Sequence, residues 1–244
     1  MNIRVYARYQ DVDDKKIRGH SLVVIDLLRA STCIVQAVDS GARCVIPVAD
    51  LGEAVNIHRA RGGQTLLAGE RNGLKVDSFD LGNSPQEFVP EVIRRRVVVM
   101  STTNGSAAIE RVRRFEPVWI GALRNRKALC RRLVEEKKDV VLICAGTDGH
   151  FSADDIFCAG SFIHALRVLQ GEPVLTEDLG LMSEQFYKAA RRDPGLLGRI
   201  RHVQTLHRLD MDSDITFCFQ EDVSEALPIL FDGFSISDAR SLHE

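Results

Sequence analysis

Short apolar runs alternate along the chain with longer segments in which hydrophobic positions return every three or four residues. The runs supply strands and the periodic segments supply helices, so the pattern is that of a layered α/β fold. Strands are predicted at 3–9, 22–26, 43–48, 65–68, 97–101, 118–120 and 140–145, with later candidates at 215–219 and 229–231. Several of these runs are apolar without interruption, which predicts a largely buried sheet covered on both faces by helices. Helices are expected at 32–40, 51–61, 85–93, 106–114, 126–137 and 153–169. The region 177–208 reads as helical with a break at Asp193-Pro194-Gly195.

One part of the pattern echoes itself. Leu22-Val23-Val24-Ile25-Asp26, a polar loop, a helix and Val45-Ile46-Pro47-Val48 form one unit. Val97-Val98-Val99-Met100-Ser101, a polar loop, a helix and Val118-Trp119-Ile120-Gly121 form another, offset by about 73–75 residues. Ordinary βαβ repetition produces part of this likeness, and an internal duplication would produce the rest. No low-complexity linker separates the units, so residues 1–244 are expected to form a single body with two similar lobes.

Composition narrows the function classes. The 244 residues are 45% hydrophobic and 27% charged, with a formal charge of -2. That balance gives no reason to expect nucleic acid or an anionic membrane as a partner, and clusters such as Arg94-Arg95-Arg96 read as solvated element ends. The six cysteines contain no C-x-x-C pair and several lie in apolar stretches, so they read as small buried hydrophobes in a reducing compartment. No apolar signal core and no membrane-length stretch is present, and a cytoplasmic location is expected. A homo-oligomer stays open: an exposed apolar strand edge would pair between subunits, and the sequence identifies none.

The polar loops after the predicted strands carry the candidate chemistry, since open α/β sheets bind ligands at strand ends. Asp26-Leu27-Leu28-Arg29-Ala30-Ser31-Thr32 offers a carboxylate and a guanidinium before a helix. It suits a phosphate, or else Ser31 or Thr32 is a cap and Asp26–Arg29 a local ion pair. Gly69-Glu70-Arg71-Asn72-Gly73-Leu74-Lys75, leading to Phe79-Asp80-Leu81-Gly82-Asn83-Ser84-Pro85-Gln86-Glu87, is long and charge-dense, as functional loops are. Ser84, Pro85 and Glu87 make a capping box, which moves Ser84 toward structure. Ser101-Thr102-Thr103-Asn104-Gly105 can turn donors toward an anion or serve as an ordinary cap. In Cys144-Ala145-Gly146-Thr147-Asp148-Gly149-His150, Asp148 occupies a metal-ligand or base position. Ser152 and Asp155 fit a helix start, and His150 is either an exposed loop residue or part of a site. Hard carboxylates without paired histidines favour Mg²⁺ over zinc.

Taken together, Val24-Ile25-Asp26-Leu27-Leu28-Arg29-Ala30-Ser31-Thr32, Gly69-Glu70-Arg71-Asn72-Gly73, Phe79-Asp80-Leu81-Gly82-Asn83-Ser84-Pro85, Thr102-Thr103-Asn104-Gly105 and Cys144-Ala145-Gly146-Thr147-Asp148-Gly149 resemble the 2-phosphosulfolactate phosphatase family in order and spacing. The resemblance covers nearly the whole chain and extends to Asp214-Ile215-Thr216-Phe217-Cys218. It implies a three-layer α/β/α fold with internal duplication. It also implies a Mg²⁺-dependent phosphatase that converts 2-phospho-3-sulfolactate to 3-sulfolactate and phosphate, a step of coenzyme M biosynthesis in some organisms. Family members often carry further Thr or Ser in the first loop, so Cys33 is not expected to be an essential hydroxyl ligand.

Residues and resemblance jointly give Asp26 and Asp148 catalytic roles and make Asp26, Glu70 and Asp148 the expected metal-holding set. Arg29, Arg71, Asn72, Asn83, Thr102, Thr103, Asn104, Gly105 and Thr147 are expected to bind a small anionic phosphorylated substrate. Direct attack by water and a phosphorylated carboxylate both stay open. The second aspartate of haloacid-dehalogenase-type phosphatases is missing, because position 28 is Leu28. The rival readings are a phosphatase of a related phosphorylated hydroxy acid, a lyase or mutase on such an acid, and a non-catalytic binder of an anionic metabolite.

Overall fold

In the computed structural model, which describes residues 1–62, 64–171 and 173–241, the extended runs hydrogen-bond into one eleven-stranded sheet. The first half of the chain supplies β1 (Asn2–Tyr6), α1 (Asp14–Ile17), β2 (Ser21–Ile25), α2 (Ala30–Asp39), β3 (Cys44–Pro47), α3 (Leu51–Ala60), β4 (Leu66–Arg71), β5 (Leu74–Lys75), α4 (Pro90–Ile93), β6 (Val97–Ser101) and α5 (Gly105–Val112). The second half supplies β7 (Val118–Gly121), α6 (Arg126–Glu136), β8 (Val140–Cys144), α7 (Ala153–Gln170), β9 (Leu175–Thr176), α8 (Asp178–Arg192), α9 (Arg201–Arg208), α10 (Asp212–Cys218), β10 (Pro228–Phe231) and β11 (Ser235–Asp238).

The strand order is β5-β4-β6-β3-β11-β10-β7-β2-β8-β1-β9. Parallel pairing joins β4, β6 and β3 into one half-sheet, and β7, β2, β8, β1 and β9 into the other. The hairpin β10–β11 bridges them through the antiparallel pairs Ile229↔Trp119 and Ile236↔Val45. Three antiparallel steps in succession leave the two half-sheets running in opposite directions. The two units noticed in the sequence pair reciprocally: β2 lies beside β7 and β3 beside β6, in registers such as Leu22↔Val118 and Val45↔Val98.

Alternation along each strand decides what each face meets. Leu22, Val24, Val118, Ile120, Val141 and Ile143 face inward onto Cys33, Ile34 and Ala37 of α2 and Ala108, Ile109 and Val112 of α5. The same helices also reach Val45 and Val98 of the other half-sheet. On the outer face, Val23, Ile25, Trp119 and Leu142 pack with Leu129 and Leu133 of α6 and Phe157 and Phe162 of α7. On the other half, Ile46, Leu67 and Val99 cover Ala54 of α3. The fold is thus mixed α/β, a buried sheet between helices, as the uninterrupted apolar runs require. Each large side chain buried this way stabilises by roughly 1.5–3 kcal/mol. The six cysteines are free, and burial holds the thiols of Cys33, Cys130, Cys144 and Cys158 above their ordinary range. Among the described residues no helix is long and apolar enough to cross a membrane.

Four local expectations are corrected. The predicted strand at 215–219 is part of the helix Asp212–Cys218, since a short apolar run does not distinguish the two states. The helix expected at 85–93 is a 3-10 turn, Pro85–Glu87, followed by the short Pro90–Ile93. Pro90 forces Val89 into an extended conformation and interrupts the helix. The capping box does not form: the Ser84 hydroxyl donates to Asp214 Oδ1 at 2.6 Å instead. Finally, β4 continues through Gly69-Glu70-Arg71, expected as loop, and turns back into β5 at Asn72-Gly73. Both turn residues have positive φ, the arrangement for which Asn-Gly is the preferred pair.

Candidate active site

Asp26 follows the last residue of β2 and is nearly buried at 9% exposure. Its loop is fixed by its own hydroxyls. The Ser31 hydroxyl donates to the Asp26 carbonyl at 2.7 Å, and the Thr32 hydroxyl donates to the Leu27 carbonyl at 2.8 Å. Neither caps α2, whose N-cap is Arg29. Asp26 Oδ1 accepts from the Ala30 amide at 3.2 Å, and no donor among the described residues is bonded to Oδ2. A side chain at position 105 would lie 2.5 Å from Ala30 Cβ and 2.7 Å from Asp26 Oδ2, so glycine is required there. That close approach brings the strand-end loop of one half-sheet against that of the other.

Burial raises the Asp26 carboxyl from its ordinary 3.8 to about 6, with the nearby Asp154 and Glu70 carboxylates adding and His202 opposing. His202, in the first turn of α9, lies 3.6 Å from Asp154 Oδ2 and 3.5 Å from Thr147 Oγ1. Burial disfavours the charged imidazole, yet Asp154 and Asp26 more than offset this and hold it above its ordinary value. The Ser152 hydroxyl bonds Asp154 and accepts from Thr147 Oγ1 at 3.1 Å, which ties the fourth loop to α7. Asp155 is buried and accepts from the amides of Leu27 and Gly146, both at 2.9 Å. It pins the first loop to the fourth, and burial pushes its carboxyl well above the usual range. Ser152, expected as a cap, and Asp155 thus act through these bonds; neither caps α7 through its side chain.

Glu70 is buried at the end of β4, where one oxygen accepts from the Gly73 amide and the other from the Thr103 amide, each at 2.8 Å. It joins the hairpin to the third loop. Arg29 is also buried. Its guanidinium meets Asp214 Oδ2 at 2.5 Å and donates to the Gly73 carbonyl at 2.7 Å, so its ion partner is Asp214 of α10 rather than Asp26. Ser84 and Gln86 donate to the other Asp214 oxygen. Asn83 is 6% exposed, and its Oδ1 is buried without a partner.

These loops enclose a cleft of about 600 Å³. Of the residues singled out in the sequence, Asp26, Arg29, Glu70, Asn72, Asn83, Thr103, Asn104, Thr147 and Asp148 line it. Three stand outside the lining. Arg71 spends its guanidinium on the carbonyls of Ala49, Glu70 and Ser101 and the Ser101 hydroxyl. Thr102 is buried in reciprocal bonds with Ser106, and Gly105 supplies the close approach to Asp26. Asp148 is at the rim, exposed, in a Thr147-Asp148-Gly149-His150 turn with positive φ at both central residues. Its amide donates to Asn104 Oδ1 at 3.3 Å.

His202, Arg201 and Thr205 of α9 also line the cleft, and sequence reasoning missed them. Their helix carries no motif, and His202 acquires its partner only across the fold. Asp154 sat inside a run read as a helix start, and Asp214 stood just before one read as a strand, in the segment to which the family resemblance extends.

Among the described residues no three His, Cys, Asp or Glu side chains are grouped so that they could hold a metal ion, and the expected set Asp26, Glu70 and Asp148 is not brought together as one. The donor set fits an open site instead: a carboxylate oxygen of Asp26 without a donor, and the orphaned amide oxygen of Asn83, are both hard. A buried acceptor without a partner costs roughly 1–3 kcal/mol, which a cation would offset. Magnesium is ordinarily held by one or two carboxylates with water and substrate phosphate completing the shell.

A buried sheet whose strand-end loops converge on a carboxylate-floored cleft defines the protein as an α/β enzyme with a loop-built active site. The chain belongs to the family whose model is described as 2-phosphosulpholactate phosphatase, matched over residues 6–233. It is 37% identical over 235 residues to the "Probable 2-phosphosulfolactate phosphatase" of Caldanaerobacter subterraneus subsp. tengcongensis, covering 96% of this chain and 97% of that protein. Proteins of the same name from Caldicellulosiruptor saccharolyticus and Clostridium novyi are 35% and 32% identical over 228 residues. These alignments cover 91% and 93% of this chain and 93% and 96% of those proteins.

Proposed function

We propose that this protein is a magnesium-dependent phosphatase that hydrolyses 2-phospho-3-sulfolactate to 3-sulfolactate and phosphate. The observation that carries the reading is the electrostatics of the cleft floor in a chain of this family. Asp26 and Glu70 bring carboxyl groups to the lining, and Arg29, the arginine that lines it with them, is already paired with Asp214. A phosphate approaching that floor meets repulsion unless a cation enters with it. Asp26, Asn83 Oδ1 and, from the rim, Asp148 are the oxygens we assign to that cation. Magnesium, when bound, would offset the phosphate charge and polarise the phosphoryl group toward attack by water.

The chain's own residues then position and move protons. The Asn104 side-chain amide, held by the Asp148 amide, and the Thr103 hydroxyl orient phosphate oxygens. Glu70 keeps their loop in place through the Thr103 amide. His202, with Nδ1 toward Asp154 and Thr147, presents Nε2 as the proton site for the sulfolactate oxygen as the P–O bond breaks. The reading carries with it a cytoplasmic location and, where coenzyme M is made, a place in its synthesis.

Phosphorus NMR of 2-phosphosulfolactate incubated with protein and Mg²⁺ tests it. Free phosphate should appear, and EDTA should stop its release. Conversion to another phosphorylated acid, or no conversion with any divalent metal, would contradict the proposal.

A further inference from the structure

The established family gives the cleft a phosphate ester, but 2-phosphosulfolactate also carries a carboxylate and a sulfonate. With the phosphate it brings up to about four negative charges. The lining must answer the second anionic end as well as the phosphate. Its basic side chains are few: Arg29, Arg201, His150 and His202. Arg29 is buried and satisfied by Asp214 and the Gly73 carbonyl. His202 is held beside Asp154. Arg201 differs from both, since its guanidinium has no ion pair and no hydrogen bond among the described residues. It is also the first residue of a helix, so its backbone is fixed in a way that the loop-borne His150 is not.

We infer that Arg201 is the specificity residue of the cleft, binding the non-phosphate anion of the substrate, sulfonate or carboxylate, at the mouth. The choice of ligand rests on the phosphatase reading, whereas the location of the free cation does not. The planar guanidinium fork matches either oxyanion with two parallel hydrogen bonds, which an ammonium would not reproduce. The buried part of the cleft, at Asp26 and Asn83, is left for the phosphate. Asp148 and His150 are the other titratable groups at the rim, and the exposed ring of Phe151 and the side chain of Leu209 border the same opening. As an ordinary surface arginine, Arg201 would be indifferent to what the cleft holds.

Calorimetric titration of the whole protein with 3-sulfolactate and, separately, with inorganic phosphate, both with Mg²⁺, tests this. Arg201→Gln should weaken sulfolactate binding about tenfold or more, as loss of a charge-assisted pair does. Phosphate binding should stay within about twofold, and Arg201→Lys should recover part of the sulfolactate affinity. Unchanged sulfolactate affinity in Arg201→Gln, equal weakening of both ligands, or wild-type protein that does not bind sulfolactate would overturn the inference. Wild-type protein that binds sulfolactate through Arg201 but releases no phosphate from the ester would retain the subsite and remove the phosphatase reading.

Discussion

Asp26 combines two properties that pull against each other. Its carboxyl is raised to about 6 by burial, so the folded chain holds that proton more tightly than the unfolded chain does. Stability from this source is fully present below the ordinary value near 3.8 and is lost as pH rises through about 6. Asp155 and His202, both raised, act with the same sign. Metal-free protein is therefore expected to be less stable, and to melt at lower temperature, at pH 8 than at pH 5, with Asp26 alone contributing about 1 kcal/mol of the difference. Asp26→Asn should flatten that dependence and raise the pH 8 melting temperature while removing activity; scanning calorimetry at both pH values checks it. At Gly105 the conflict is steric. Gly105→Ala must push Ala30 or Asp26 aside, and a loss of roughly 1–3 kcal/mol in urea unfolding is expected.

Between elements, the loops are held by buried carboxylates that cross the fold. Asp214 of α10 receives Arg29, Ser84 and Gln86, so α10 fixes the first loop and the segment after the hairpin. Asp214→Ala leaves a buried guanidinium unpaired and should cost about 3–5 kcal/mol. Replacing both partners, as Arg29→Met with Asp214→Leu, should recover much of that loss, which denaturant titration of the two variants resolves. These couplings explain what the sequence left illegible. The strands β2, β6, β7 and β8 and the helices behind them were readable, because burial on both faces writes long apolar runs. The loops were readable because polar residues cluster where those runs stop. Arg71 and Glu70 are adjacent and both ionisable, yet strand alternation sends the guanidinium into backbone carbonyls and the carboxyl group beside the cleft. His202 and Asp214 lie on short amphipathic helices whose local pattern reports only the apolar face. The Asn72-Gly73 hairpin is a different case: its signal was present in the sequence, flanked by a strand on each side.

At the scale of the whole molecule, two half-sheets of opposite direction share α2 and α5, and their strand-end loops meet at Asp26 and Gly105. Neither half contains the cleft by itself. Asp26, Thr147 and Asp148 follow strands of one, while Glu70 lies at the end of a strand of the other, and Thr103 and Asn104 follow another of its strands. Glu70→Ala should loosen that joint by freeing the Gly73 and Thr103 amides, lowering turnover about tenfold or more while binding of sulfolactate at Arg201 persists. The central claim is that this shared cleft hydrolyses the phosphate ester with Asp26 at its floor. Steady-state phosphate release from 2-phosphosulfolactate with Mg²⁺, compared between wild type and folded Asp26→Asn, tests it most directly. Saturable release by the wild type, at least about 100-fold slower in the variant, is the expected result. Wild-type turnover in Asp26→Asn would contradict it.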